Sequence, residues 1–165
     1  MTIRTFKAVL AGSAMLALSL SANAAQAATA SANAKAQILK AITVTKNADV
    51  DFGTIVTSAT SGTATLSNAG AVTCSAGLVC AGAPAAGAFA VTGTTGQVVT
   101  LSTSNASLTG PGAAMPATLA TSSATLTLTG VAASDVFKVG GLLAIAANQV
   151  EGSYTGAFTV TVNYQ

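Results

Sequence analysis

The sequence has no histidine, no tryptophan and few charges, with four acidic and six basic residues among 165. Without histidine, its many serines and threonines have no ordinary general base, and no G-x-S-x-G motif is present. A zinc site would have two cysteines and no histidine as ligands, which is too few. We therefore expect neither enzymatic activity nor a cofactor.

The few carboxylates do not suggest a reactive site either. Asp49 and Asp51 are the only close pair, and they would share one face of a strand. A calcium ion needs six or more oxygen ligands, which no acidic loop here supplies. The pair is predicted to lie in a solvated turn, and Asp135 and Glu151 at turns or strand ends. No glycine-rich phosphate loop is present, so we expect no small-molecule substrate.

The N-terminus has the pattern of a secretory signal peptide. Arg4 and Lys7 precede a short apolar run at residues 8–20, which is too short to span a membrane comfortably. Small residues then form two A-x-A sites, which end at Ala24 and Ala27. Cleavage after Ala27 is favoured, so residues 1–27 are predicted to direct export to the periplasm and then to the cell surface. Contact with the membrane is expected only during export.

The predicted mature chain, residues 28–165, has a formal charge near zero and is expected to form one domain. Its four lysines are scattered, so no basic patch for nucleic acid is predicted. A nearly neutral surface favours self-association. Residues 28–36 are small and polar, and are predicted to be a flexible N-terminal arm. Cys74 and Cys80 are expected to form a disulfide contributing about 2–3 kcal/mol, unless the host lacks an oxidising compartment.

Alternating apolar and polar residues predict an all-β protein that folds as a β-sandwich. Residues 110–116, GPGAAMP, are predicted to be a loop, and residues 135–147 to hold two strands that meet near Gly140 and Gly141. The final strand has Phe158, Val160, Val162 and Tyr164 on one face. The other predicted strands are 37–46, 50–56, 63–67, 71–74, 88–93, 97–103 and 124–130, with 156–164 as the last.

Three stretches carry a resemblance to a known family. DFGTI (51–55), FAVTG (89–93) and the segment 137–165 resemble the signatures of the DUF4402 family, a group of exported bacterial β-sandwich proteins. This resemblance implies a sandwich fold and export, and it implies no specific activity.

A more distant resemblance is to chaperone–usher pilins and to the spore coat U and Mat fimbrillin-like groups. Tyr164 is the penultimate residue and Gly152 is fourteenth from the end, with the alternating Phe158, Val160 and Val162 between them. In such subunits an immunoglobulin-like sandwich lacks one strand, which a periplasmic chaperone and then the next subunit supply. The resemblance implies that residues 156–164 form the edge strand that lines the open groove, with Gly152, Phe158, Val160, Val162 and Tyr164 as its assembly residues. The resemblance implies a second copy, a chaperone and an outer-membrane usher as partners. The spacing of the cysteines differs from that of pilins, so it carries no role for them.

Two functions follow as hypotheses. The first is a structural subunit of a bacterial surface fibre, a pilus or fimbria, assembled by strand exchange. The donor is then either the arm at 28–36 or the segment 37–45, with Ile38, Ile42 and Val44 as its apolar residues. The alternative is a self-contained secreted β-sandwich that acts in cell adhesion or matrix binding.

Overall fold

The structure is a computed structural model that describes residues 27–165. All but the last residue of the predicted signal peptide lies outside this range. Residues 37–165 form one compact unit. Residues 27–36 are exposed and contain no strand. Within the described range, no helix is long and apolar enough to cross a membrane.

The described chain is all-β, as predicted, and its antiparallel strands form a sandwich. The strands, in chain order, are β1 (Thr43–Ala48), β2 (Thr54–Val56), β3 (Gly62–Leu66), β4 (Val72–Cys74), β5 (Val79–Ala81), β6 (Gly87–Thr92), β7 (Val98–Thr103), β8 (Ala106–Leu108), β9 (Met115–Thr121), β10 (Thr125–Thr127), β11 (Val136–Ile145) and β12 (Val160–Tyr164).

Residues 27–165 form three sheets. The largest has seven strands in the order β1-β6-β11-β3-β4, with β9 also paired to β11 and β8 paired to β9. The second has the order β10-β7-β12, and the third is the ribbon β2-β5. The terminal strand β12 therefore belongs to the smaller, three-stranded sheet.

Strand β11 is one continuous strand, which corrects the prediction of two strands meeting at Gly140 and Gly141. Phe137, Val139 and Leu143 are buried on one face, so the alternation continues through both glycines. A Cβ at Gly140 would lie 2.5 Å from the Leu66 carbonyl oxygen, and one at Gly141 would overlap the Thr118 carbonyl oxygen. The glycines thus allow neighbouring strands to approach closely, and they do not end the strand.

The predicted loop at 110–116 is also partly wrong, because Met115 and Pro116 begin β9. Pro116 pairs only with Ser107 of β8, whereas β11 pairs with residues 117–121. Proline lacks an N–H and so is tolerated at the start of a strand, outside the central ladder.

Strand boundaries differ from the predictions mainly at the two ends of the chain. The first strand was predicted to begin at residue 37, and it begins at Thr43. The last strand was predicted to begin at residue 156, and it begins at Val160. The short strands β5 and β8 were not predicted, since three residues give too little alternation to recognise. The predicted strand 50–56 is reduced to β2, with an isolated bridge between Asp51 and Ala85.

The core lies between the two larger sheets. Phe89 of β6 and Phe137 of β11 stack with ring centroids 5.5 Å apart, and Val99 and Leu101 of β7 contribute from the smaller sheet. The other large buried side chains are Phe52, Leu66, Leu78, Val91, Met115, Leu119, Leu128, Val139, Leu143 and Ile145.

Asp135 lies in the turn before β11 and is 1% exposed, a burial that the sequence did not predict. Its carboxylate accepts hydrogen bonds from the Thr129 N–H and the Thr129 hydroxyl, each at 2.8 Å, and from the Gly130 N–H at 3.0 Å. Burial acts to raise the pKa of Asp135, but these hydrogen bonds outweigh it and lower the pKa below its ordinary value. The carboxylate therefore fixes the chain between β10 and β11.

We predict that Asp135→Asn weakens the fold and flattens its acid dependence. A pKa lowered by folding gives stability that is present above the unfolded pKa, about 4, and is lost as pH falls through the folded pKa. Urea unfolding at pH 7 should show a loss on the order of 2 kcal/mol, and a smaller further loss at pH 3 than in the unmodified protein. Asp49→Asn, at an exposed ion pair with Lys46, is the control and should change little. An unchanged acid dependence in Asp135→Asn would contradict this account.

Candidate assembly groove

Strand β12 occupies an edge of its sheet. It pairs with β7 from Val160 opposite Thr103 to Tyr164 opposite Val99, and its other edge has no strand partner among residues 27–165. Val160, Val162 and Tyr164 are half-buried against the core, while Thr161 and Asn163 are exposed. The predicted alternation is therefore present, with its apolar face turned inward.

The other two residues predicted for this edge lie before the strand. Phe158 packs on the core, in an edge-to-face arrangement with Phe89 at a centroid distance of 6.0 Å. Gly152 has a φ of 141°, and a Cβ there would lie 2.6 Å from Pro111 Cγ. Glycine is thus required at 152 by its backbone conformation and by its neighbour.

A groove runs beside these residues. Two adjoining clefts of about 410 and 660 Å³ share six lining residues, and we call them together the groove. Residues 49–57 and 149–158 line it from two distant parts of the chain. The remaining lining residues are apolar and most are buried in the core: Ala106, Leu108, Met115, Ala117, Leu119, Leu143 and Ile145.

The groove combines apolar surface with negative charge. Val56 and Val150 line it and are 56% and 51% exposed, so apolar side chains face solvent there. Asp49, Asp51 and Glu151 also line it, and they are three of the four acidic residues in the chain. Lys46 pairs with Asp49 at 2.8 Å. Asp51 and Glu151 have no ion-pair partner within the described range.

The backbone along one wall of the groove, residues 150–158, is mostly without backbone partners in the described part of the chain. Between residues 150 and 158, Thr155 alone forms backbone–backbone hydrogen bonds in the described part of the chain, in a bridge to Thr109. Unpaired N–H and C=O groups beside exposed apolar side chains are the features that accept an added strand.

Gln149 and Tyr154 hold this segment from inside. The Gln149 Nε2 donates to the Ala113 carbonyl at 2.6 Å and to the Tyr154 hydroxyl at 2.9 Å. The same hydroxyl donates to the Val150 carbonyl at 2.8 Å and accepts from the Gly112 N–H at 2.9 Å. Gln149 Oε1 is buried and has no hydrogen-bond partner among the described residues. A buried acceptor without a hydrogen-bond partner lowers the stability of the fold.

The predicted disulfide between Cys74 and Cys80 is confirmed, and it supports the opposite wall. Cys74 ends β4 of the large sheet, and Cys80 lies in β5, opposite Ile55 of β2. Only three residue pairs join β2 to β5. The disulfide therefore fastens the β2-β5 ribbon, which lines the groove, to the large sheet.

Tyr164 fixes the start of the folded unit. Its hydroxyl donates to the Lys40 carbonyl at 2.7 Å and accepts from the Thr94 N–H at 2.8 Å. The Lys40 N–H donates to the Thr94 hydroxyl at 2.7 Å. The penultimate residue thus holds the chain just before β1.

The three apolar residues of the second predicted donor segment, 37–45, differ in their contacts with the sandwich. Ile42 packs against the core and Val44 lies in β1, paired with Val91 of β6. Ile38 precedes the Tyr164 contact and is 92% exposed. Only Ile38 of these three is therefore free of the chain's own sandwich.

The sequence did not identify the groove as a site. Its walls are far apart in sequence, and neither has a recognisable motif. The sequence holds only an indirect indication of the groove, since three of the four acidic residues fall in segments 49–57 and 149–158. The structure adds an exposed valine in each segment. No group of three metal-ligating side chains occurs in the described range.

Comparison with protein families and known proteins gives one match. The sequence model of the family described as "Domain of unknown function (DUF4402)" matches residues 42–164, which include all twelve strands. No curated protein and no solved structure matches the chain.

We predict that the two tyrosine hydroxyls hold different segments. Tyr164→Phe should accelerate amide hydrogen exchange at residues 38–42, and Tyr154→Phe should do so at residues 112 and 149–151. Each loss should reduce stability by about 1–2 kcal/mol, since each removes several hydrogen bonds. Each variant is the matched control for the other in hydrogen-exchange mass spectrometry. The same exchange pattern in both variants would argue against separate anchoring.

We predict that loss of the disulfide loosens one wall of the groove. Replacing both Cys74 and Cys80 by alanine should reduce the free energy of unfolding by about 2 kcal/mol and increase exchange at residues 54–57. Exchange in β7 and β12 should increase less, and only through the loss of global stability, because the disulfide lies in other sheets. A reducing agent should reproduce the effect in the unmodified protein and have none in the double variant.

Proposed function

We propose, from the premise that the chain belongs to the DUF4402 family, that this protein is a structural subunit of a bacterial surface fibre, assembled by strand exchange. In this proposal the chain is exported by its N-terminal signal peptide. It passes through the periplasm and ends in a pilus-like or fimbria-like filament at the cell surface. Its partners are further copies of itself, with a periplasmic chaperone and an outer-membrane usher during assembly.

The groove is the observation that carries the proposal. It has apolar lining from the core, unpaired backbone along residues 150–158 and two exposed valines. An added strand would satisfy the backbone groups and cover the apolar side chains together. A contact between a donor segment and a groove elsewhere on the next copy does not close on itself, so it propagates as a filament.

A self-contained secreted module for adhesion or matrix binding is the second candidate. The observation in its favour is that β12 is already paired with β7 and its apolar face packs on the chain's own core. This candidate requires a monomer that is stable and does not assemble at any concentration.

We predict that a charge in the groove stops assembly. Val150→Arg should abolish the filaments seen by electron microscopy of the exported, purified protein, and leave a folded monomer by light scattering and circular dichroism. Val131→Arg is the matched control, since Val131 is 56% exposed and lies outside the groove. It should assemble like the unmodified protein.

Two results would contradict the proposal. One is an unmodified protein that stays monomeric, together with sheared cell-surface material that holds no filament containing it. The other is equal assembly by Val150→Arg and Val131→Arg. In either case the self-contained module becomes the better description.

A further inference from the structure

Residues 28–38 alternate between apolar and polar residues, and most of the apolar ones are alanine. Alanine occupies positions 28, 30, 32, 34 and 36, and Ile38 continues the series. Every position between them is polar: Thr29, Ser31, Asn33, Lys35 and Gln37. A strict period of two over eleven residues is the pattern of a strand with one apolar face. Alanine has low β-propensity, so such a strand needs an existing sheet edge to form on.

The structure leaves this segment free. Residues 27–36 are exposed and without strand pairing, and Ile38 is 92% exposed. The Tyr164 hydroxyl holds Lys40, and from Thr43 onward the chain belongs to β1. A donor segment must therefore end before Lys40. We therefore place the donor in residues 28–38 and not in 37–45, since most of the latter pairs or packs within the folded unit.

The groove is long enough to receive most of this segment. Eleven residues in a strand span about 35 Å, and the nine residues from 49 to 57 that line the groove span at most about 30 Å. The apolar lining residues of the groove can accept a row of alanine methyl groups, which need only shallow recesses.

Charge also matches. Lys35 is the only charged residue in the segment 28–38. Asp51 and Glu151 line the groove without an ion-pair partner in the described range. Lys35 falls on the polar side of the alternation, so it would lie at the rim of the groove, where these carboxylates can approach it.

We propose that residues 28–38 of one copy form a strand in the groove of a second copy, with the alanine face and Ile38 inward and Lys35 toward Asp51 and Glu151. The inference rests on the proposed function and names its donor, its acceptor and the orientation of the strand faces. Tyr164 holds Lys40 of the donor copy, so the donor segment leaves the folded unit at a fixed point.

The first test compares the two faces of the donor segment in the full exported protein. The double variant Ala32→Gln/Ala34→Gln places uncharged bulk on the inward face. The double variant Ser31→Gln/Asn33→Gln places similar side chains on the outward face. The first should weaken association at least about tenfold, because it forces polar side chains into apolar recesses. The second should assemble normally.

The second test combines defective copies. Ala32→Gln/Ala34→Gln copies keep an intact groove, and Val150→Arg copies keep an intact donor segment. Neither should form filaments alone, and a mixture should give a one-to-one dimer by light scattering. Lys35→Glu should weaken assembly, and Glu151→Lys in the same chain should restore part of it.

The outcomes separate this inference from the proposed function. If the unmodified protein never assembles, the proposed function fails. If it assembles but both glutamine variants behave alike, or the mixture gives no dimer, the donor assignment is overturned and the fibre proposal stands. If the protein is monomeric and Ala32→Gln/Ala34→Gln lowers its melting temperature, the segment fills its own groove and a second copy is excluded.

Discussion

The pairing of β11 with three other strands is the constraint on which the larger sheet depends. Its first half pairs with β6 and its second half with β3, while β9 pairs along its middle from the opposite side. Ten residues of continuous strand are needed for this, and Gly140 and Gly141 lie where the neighbours come closest. Asp135 fixes the turn immediately before the strand through hydrogen bonds to Thr129 and Gly130. Strand β11 is a buried central strand with bulky residues on one face and glycines where the neighbouring strands approach closely. This combination allows seven strands to share one sheet.

The opposing sheet has only three strands, and the groove is a consequence of this difference in size. Core residues of β8, β9 and β11 extend beyond what the smaller sheet covers, so they line a cleft between residues 49–57 and 149–158. Different interactions stabilise the two walls. The disulfide stabilises residues 49–57 through the β2-β5 ribbon, and the Tyr154 hydroxyl stabilises residues 149–158. The cleft is thus bounded by anchored segments, although the backbone of residues 150–158 is largely without backbone partners in the described part of the chain. A rigid site of this kind loses little entropy when a partner binds.

Much of the fold was predictable from alternation. Strands β3, β6, β7 and β12 were located within a few residues. In β3, β7 and β12 apolar residues stand at every second position, whereas β6 is an apolar run that is buried on both faces. Strand β9 was missed since Pro116 and the preceding glycines are typical of a loop, and β11 was divided at glycines whose effect depends on the strands beside them. The alternation of residues 28–38 does not by itself predict a strand, because alanine is a weak hydrophobic signal. The apolar face of this segment gains meaning only beside a groove that could receive it.

The sequence by itself determined the all-β class, the family, the apolar face of the terminal strand and the pairing of Cys74 with Cys80, because period-two patterns and a single pair of cysteines are local or unambiguous. Only the tertiary structure decided that Asp135 is buried, that Tyr164 holds Lys40 and that segments 49–57 and 149–158 face one groove. These are contacts between residues up to 124 positions apart in the chain. The Tyr164–Lys40 contact and the groove form only when the sheets bring these distant segments together, and no local pattern contains that information.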